Sequence, residues 1–268
     1  MNGVSIGYLI SASLFILGLK KLGHPRTAPV GNQLGAMGML VAVLTTVADM
    51  HLEGGAQWTL IISGILVGSV IGYILAVKVE MTGMPELVAL FNGFGGAASA
   101  LVALSESWKY IENKDLVLPS GLELEVLMIA AGLSALVGWM TLTGSILAMF
   151  KLKGGIEIFG KWFRTPTWGP TWLNYVKISL TIAVLALIYL SISDPRDQEI
   201  LFAIILISSI LGIIIVLPIG GADMPVVVSL LNSFSGIAAA FTGFIIGNSV
   251  LIVAGSLVGA SGLIPVSY

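Results

Sequence analysis

The sequence predicts an all-α protein, a bundle of about nine transmembrane helices with a parallel internal repeat. Of its 268 residues, 57% are hydrophobic and 10% are charged, and the mean hydropathy is +1.03, so there are too few charges for a water-facing surface. The apolar runs approach the roughly 20 residues that a bilayer-spanning helix needs. Two stretches also repeat one another. The composition excludes an ordinary cytosolic enzyme, a nucleic-acid-binding protein and a disordered chain.

Nine apolar segments define the predicted helices. They are continuously apolar, whereas the strands of a membrane barrel alternate apolar and polar residues. The longest loops, 105–122 and 151–172, are too short to hold a soluble domain. We therefore assign residues 1–268 to one transmembrane domain, with helices at about 4–19, 31–48, 58–77, 85–104, 123–150, 173–192, 199–217, 224–246 and 249–266.

The basic residues between these segments are distributed unequally between the two ends of the predicted bundle. The loops after the first, third, fifth and seventh helices lie at one end of the bundle, and together with the same end of the sixth helix they hold nine basic residues: Lys20, Lys21, Arg26, Lys78, Lys151, Lys153, Lys161, Arg164 and Lys177. The opposite loops hold Lys109, Lys114 and Arg196. Because basic loops stay in the cytoplasm, we expect the N-terminus outside and the C-terminus in the cytoplasm. The N-terminus has no basic region typical of a cleaved signal peptide.

An internal repeat links the fourth and eighth segments at an offset of 140 residues. Residues 84–96 (MPELVALFNGFGG) match residues 224–236 (MPVVVSLLNSFSG). The offset spans four helices, an even number, so both copies cross the membrane in the same direction, unlike inverted repeats. One interpretation is a duplication kept for packing, and the other is functional, because the shared residues include an asparagine.

The repeat places Asn92 and Asn232 at equal depth, about 12 Å from the cytoplasmic helix ends at 1.5 Å per residue. An amide at that depth is costly unless it is hydrogen-bonded, so we expect both to face the bundle interior. Two interpretations stay open, interhelical hydrogen bonding and a water-lined polar path. Further polar residues lie on nearby helices: Thr141, Thr143, Ser145, Ser229, Ser233, Ser235 and Thr242.

Titratable side chains are missing from the middle third of every predicted segment. Proton relays in membranes usually need such a group at depth. If the chain conducts protons, either water carries them or a partner contributes the group. His51, in the outer loop, is a weaker alternative entry point.

Two carboxylates flank the repeated Met-Pro pairs. Asp223 lies before the eighth segment and Glu86 is in the first turn of the fourth. Each could stabilise a helix start. Alternatively, the glycine-containing loop that ends at Asp223 could contact a soluble partner on the cytoplasmic side.

Other chemistries find no support in the sequence. Cysteine is absent, and no GxGxxG loop follows a strand. Residues 259–262 (GASG) look like the serine motif of intramembrane proteases, but no base is placed to activate that serine. We predict no catalytic, cofactor-binding or metal site in this chain.

Several stretches together resemble the beta subunit of the proton-translocating nicotinamide nucleotide transhydrogenases. They are residues 79–89 (VEMTGMPELVA), 220–229 (GGADMPVVVS), 31–35 (GNQLG), 143–145 (TGS) and 257–262 (LVGASG). The resemblance covers essentially the whole chain. It implies the membrane part of that subunit, cut before its NADP-binding domain.

The resemblance implies that inward proton flow is coupled to hydride transfer from NADH to NADP⁺. NAD(H) and NADP(H) would bind partner domains, an alpha-type subunit would add helices, and protomers would pair as a dimer in the cell's inner membrane. Asn232 and Ser145 match proton-path positions. Asp223 matches the interface with the NADP domain, and Glu86 is a neighbouring carboxylate. Asn92 departs from the family, where many relatives carry a histidine, which suggests a histidine from a partner subunit.

Two other functions remain as alternatives. A secondary transporter of a small solute would need a cavity between the fourth and eighth helices. Against it, the prolines stand at helix starts, whereas transporter helices are often broken at the midplane. A purely structural scaffold would have a dry, close-packed interior around both asparagines.

Overall fold

The computed structural model describes residues 3–53, 58–112, 123–158, 161–194 and 197–263. Within these ranges the chain forms nine α-helices, which confirms the predicted all-α class. They are α1 (Gly3–Leu22), α2 (Ala28–Glu53), α3 (Trp58–Lys78), α4 (Met84–Glu112), α5 (Leu124–Leu152), α6 (Leu173–Ser193), α7 (Gln198–Val216), α8 (Met224–Ile245) and α9 (Ser249–Leu263). Eight of them are long and apolar enough to cross a membrane, and α9 is shorter, with 15 residues. The protein is therefore a multi-pass membrane protein.

Three features differ from the sequence prediction, the first being that α2 continues to Glu53 and so includes His51, which was predicted to lie in the outer loop. A small antiparallel hairpin, β1 (Ile156–Ile158) and β2 (Lys161–Phe163), lies between α5 and α6. Helix α4 continues to Glu112, well past the predicted end at residue 104. Its last turns are polar, and an ion pair three residues apart joins Lys109 to Glu106 at 2.5 Å. The prediction followed the apolar run, whereas the helix continues beyond it.

Met1–Leu75 forms one compact unit. Helices α1 and α2 pack antiparallel. Ser11 donates a hydrogen bond to the Gly38 carbonyl at 2.8 Å, and seven residues further along α1, Gly18 lies against Gly31, which is seven residues earlier in α2. Most of α3 belongs to this unit, and none of its residues is buried.

Ala76–Tyr268 forms the second unit, with α5 at its centre. Helix α5 contacts α4, α6, α7 and α8, and α9 packs on α8. The largest fully buried apolar side chains of this unit come from three helices, α5, α7 and α8: Leu127, Met128, Ile204, Met224, Leu231 and Ile245.

The repeated helices α4 and α8 run parallel. Asn92 meets Ser235, and Ser99 meets Thr242, so both contacts join residues 143 positions apart. A 3-10 turn precedes each helix, Met81–Gly83 before α4 and Gly221–Asp223 before α8. The repeat is thus visible in the fold and runs in the predicted direction.

Small residues allow α4 and α5 to approach closely. A Cβ atom at Gly96 would lie 2.9 Å from Thr141 Cβ and 3.0 Å from the Gly138 carbonyl oxygen. The neighbouring Gly95 faces open space. This close contact brings the polar residues of α4 and α5 together.

Candidate functional site

Asn92 joins three helices through its carboxamide. Its Nδ2 donates to Ser145 Oγ on α5 at 3.2 Å. Its Oδ1 accepts from Ser235 Oγ on α8 at 2.7 Å, and the same hydroxyl also lies 3.1 Å from the Asn92 carbonyl oxygen. We name Asn92, Ser145 and Ser235 the amide cluster.

The side-chain hydrogen bonds of the amide cluster run in one direction, from Ser235 through Asn92 to Ser145. Ser235 donates to Asn92, and Asn92 donates to Ser145, whose own hydroxyl proton stays free for a further acceptor. Ser145 is fully buried, while Asn92 and Ser235 are half-buried. An amide does not titrate near neutral pH, so these groups can orient water and other hydrogen-bonding partners but cannot take up or release a proton.

A second polar contact joins the same helices seven residues further along α4 and α8. Thr242 Oγ1 donates to the Ser99 carbonyl at 2.9 Å and lies 3.1 Å from Ser134 Oγ on α5. Ala238, fully buried, lies between the two levels on α8, and on α4 the close contact of Gly96 with Thr141 lies between them. The interior between them is closely packed.

Asn232 is exposed on the surface of α8 and hydrogen-bonds to none of the described residues. The prediction that both asparagines face the interior of this chain is therefore right for Asn92 and wrong for Asn232. The reason is that the repeat aligns residues 140 positions apart, whereas the contacts between α4 and α8 join residues 143 positions apart, a shift of three residues. Because three residues rotate a helix by about 300°, Ser235 occupies the position facing Asn92 and Asn232 lies on the adjoining flank.

The flank that carries Asn232 lies between two packed neighbours. Ser229 donates to the Gly262 carbonyl of α9 at 3.2 Å, and Ser235 bonds to Asn92 of α4. Asn232 is three residues from each, so it projects about 60° from both contacts. Asn232 therefore lies on the exposed flank of α8 between its contacts with α4 and with α9.

The best-formed cavities of the described chain lie elsewhere. One of about 370 Å³ lies between α4 and α7, lined by Leu101, Trp108 and Phe202. Another of about 320 Å³ lies against α5, α8 and α9. Neither touches Asn92 or Asn232, and both are lined almost wholly by apolar groups.

The two predicted contact carboxylates lie at the same end of the parallel helices α4 and α8. Asp223 is exposed, and its side chain makes no capping hydrogen bond although it is the residue before α8. Glu86 is half-buried in the first turn of α4. The missing cap at Asp223 leaves its carboxylate available to a partner.

Sequence reasoning noted Ser235 beside Asn232 but did not place it in the site. The available signal was its position, since Ser235 follows Asn232 by one turn and replaces Gly95 of the first copy. Within the described ranges, no group of three or more His, Cys, Asp or Glu residues could hold a metal ion.

Comparison with known proteins places the chain in a family. The family model described as NAD(P) transhydrogenase beta subunit matches residues 4–267. Two curated relatives named NAD(P) transhydrogenase subunit beta, both from Rhodospirillum rubrum and one of them from a designated strain, are each 39% identical over 260 residues. The match covers 96% of this chain and 53% of each relative, so the chain spans about half their length. The chain belongs to the NAD(P) transhydrogenase beta subunit family.

Proposed function

We propose that this chain is the proton-translocating membrane domain of a nicotinamide nucleotide transhydrogenase. Proton flow into the cell would drive hydride transfer from NADH to NADP⁺ on separate soluble domains. The observation that carries the proposal is the pair of amides on the repeated helices: Asn92 is hydrogen-bonded at the α4–α5–α8 junction, and Asn232 is exposed on α8, three residues before Ser235 of that junction.

The proton path would follow the α4–α9 flank of α8. Asn232 would hydrogen-bond water on this flank, and the amide cluster would form the wall of the path, since Asn92 and Ser235 are half-buried. A polar amide on a membrane helix favours a polar neighbour over lipid, because an unsatisfied amide is costly in hydrocarbon. A transmembrane helix of an alpha-type subunit would cover this flank and close the path.

The titratable group would come from that partner helix. The amides and hydroxyls of this path can bind and orient water but cannot bind a proton near neutral pH. They belong to Asn92, Ser145, Ser235 and Asn232. A histidine on the partner helix would supply the missing group, since its pKa lies near neutrality. The chain alone would then not conduct.

Asp223 and Glu86 would connect this path to the soluble domains. The exposed Asp223 carboxylate lies at the start of α8, nine residues before Asn232. A nucleotide domain that contacts Asp223 differently in its two states would shift α8 and the water beside it, because only differential binding changes an equilibrium. Both nucleotides would bind partner domains, as this chain lacks a GxGxxG loop.

Localisation and assembly follow from the same proposal. The protein would lie in the cell's inner membrane with its N-terminus outside and its C-terminus in the cytoplasm, as the distribution of basic residues predicts. The complete enzyme would be a dimer of protomers, each with an alpha-type subunit and an NADP-binding domain. No observation on the described residues favours the alternative, a secondary transporter of a small solute.

The test is proton pumping by the complete enzyme in sealed vesicles with Asn232→Leu. Leucine has the same branched shape as asparagine but binds no water, so we expect proton pumping and coupled hydride transfer to fall by about tenfold or more. Phe244→Leu is the control, because Phe244 is also exposed on α8 but carries no polar group. Unchanged pumping in Asn232→Leu would place the proton path elsewhere.

A further inference from the structure

Lys151 is a buried lysine in the last turn of α5. It is 5% exposed, and no described carboxylate lies within ion-pair distance of it. Its Nζ donates instead to two backbone carbonyls, those of Leu217 and Ile219, the latter at 2.7 Å. A buried charge requires such partners, and here both belong to one loop.

The loop that Lys151 binds is the one that carries Asp223. Leu217 follows the end of α7, where carbonyls lack helical partners and the helix dipole favours a cation. Gly221 lies against the Lys151 carbonyl, where an added Cβ would come to 3.0 Å from the oxygen. Trp168 N–H also reaches the Leu217 carbonyl at 3.4 Å. Both the side chain and the backbone of Lys151 therefore contact residues 217–221.

The equivalent loop of the first repeat has no such contact. It precedes α4 and includes the turn Met81–Gly83, where Met81 is 87% exposed. Among the described residues, no side chain donates to the carbonyls of residues 77–79. The lysine contact is specific to the second copy, the copy that carries Asp223 and Asn232.

We propose that Lys151 is a positioning residue that fixes the α7–α8 loop to α5. Helix α5 also carries Ser145, six residues or about 9 Å before Lys151. Lys151 thereby links the loop of Asp223 to α5, the helix that carries Ser145 of the amide cluster. The link to proton coupling rests on the proposed function, whereas the fixing of the loop does not.

Amide hydrogen exchange of the full chain, measured by mass spectrometry in lipid nanodiscs, tests the fixing of the loop. In Lys151→Met we expect residues 217–223 to exchange about tenfold faster, because two carbonyls lose their charged donor. Lys153→Met is the matched control, since Lys153 is exposed two residues away. Lys151→Arg keeps the charge and the donors and is expected to restore slow exchange.

A measurement on the unsubstituted chain covers the case in which Lys151→Met does not fold. Acetylation by a small anhydride should modify Lys151 about tenfold more slowly than Lys153, since its amine is buried and bonded. Equal reactivity of the two lysines, or unchanged exchange of residues 217–223 in a folded Lys151→Met, would overturn the proposal.

Coupled activity of the complete enzyme separates this proposal from the proposed function. We expect Lys151→Met to lower coupled hydride transfer, and Lys151→Arg to recover most of it. If loop exchange rises while coupled transfer stays unchanged, Lys151 fixes the loop but has no part in coupling, and that half of the proposal is wrong. A failure of the Asn232→Leu test would remove the proton path and leave the loop measurements intact.

Discussion

At the scale of single residues, the two repeated asparagines have opposite surroundings. Asn92 uses both ends of its carboxamide on serines of neighbouring helices. Asn232 is exposed and binds none of the described residues. One duplicated residue therefore contributes to packing, while the other is available for contacts outside this chain.

This difference predicts unequal effects on the free energy of unfolding. Asn92→Leu removes two interhelical side-chain hydrogen bonds, so we expect it to lower the free energy of unfolding by about 1–2 kcal/mol. Asn232→Leu should change it by less than about 0.5 kcal/mol, since no contact in the chain is lost. Reversible unfolding in mixed detergent micelles measures both. Equal losses in the two variants would contradict the hydrogen bonding described for Asn92.

At the scale of elements, the seam between α4 and α5 depends on which glycine faces the partner helix. Gly96→Ala would press a methyl group against Thr141 and the Gly138 carbonyl. Overpacking of this kind costs about 1–3 kcal/mol. Gly95→Ala, one residue away in open space, should be neutral or stabilising by up to about 1 kcal/mol. Thermal unfolding of the two variants is the measurement, and a greater loss in Gly95→Ala would contradict the packing.

Helices were predictable from the sequence because a membrane helix must be apolar along its whole length. The fourth segment shows the limit, since its polar final turns to Glu112 lie beyond the apolar run. The hairpin between α5 and α6 was missed because each of its strands has three residues, too few for a periodic signal.

The candidate site was predictable in its residue types but not in its geometry. The repeat identified Asn92 and Asn232. The repeat could not reveal that α4 and α8 meet at an offset of 143 rather than 140, because this shift depends on how the side chains of two helices interlock. This shift of three residues decides which of the two asparagines contacts the neighbouring helices.

At the scale of the whole molecule, the proton path that we propose is incomplete within this chain. The described chain supplies amides and hydroxyls and leaves the α4–α9 flank of Asn232 open. Under the proposed function, a soluble nucleotide domain and an alpha-type subunit would supply the rest. The central claim is that water, rather than lipid, contacts Asn232 in the complete enzyme.

Labelling of Asn232→Cys in the complete enzyme tests that claim most directly. This chain contains no cysteine of its own, so mass spectrometry identifies the modified position without ambiguity. The account predicts that a small water-soluble thiol reagent added from the cytoplasmic side modifies Cys at position 232 and blocks proton pumping, while Phe244→Cys stays unmodified. Modification of position 232 by a lipid-soluble reagent alone would show that this face meets lipid and would contradict the account.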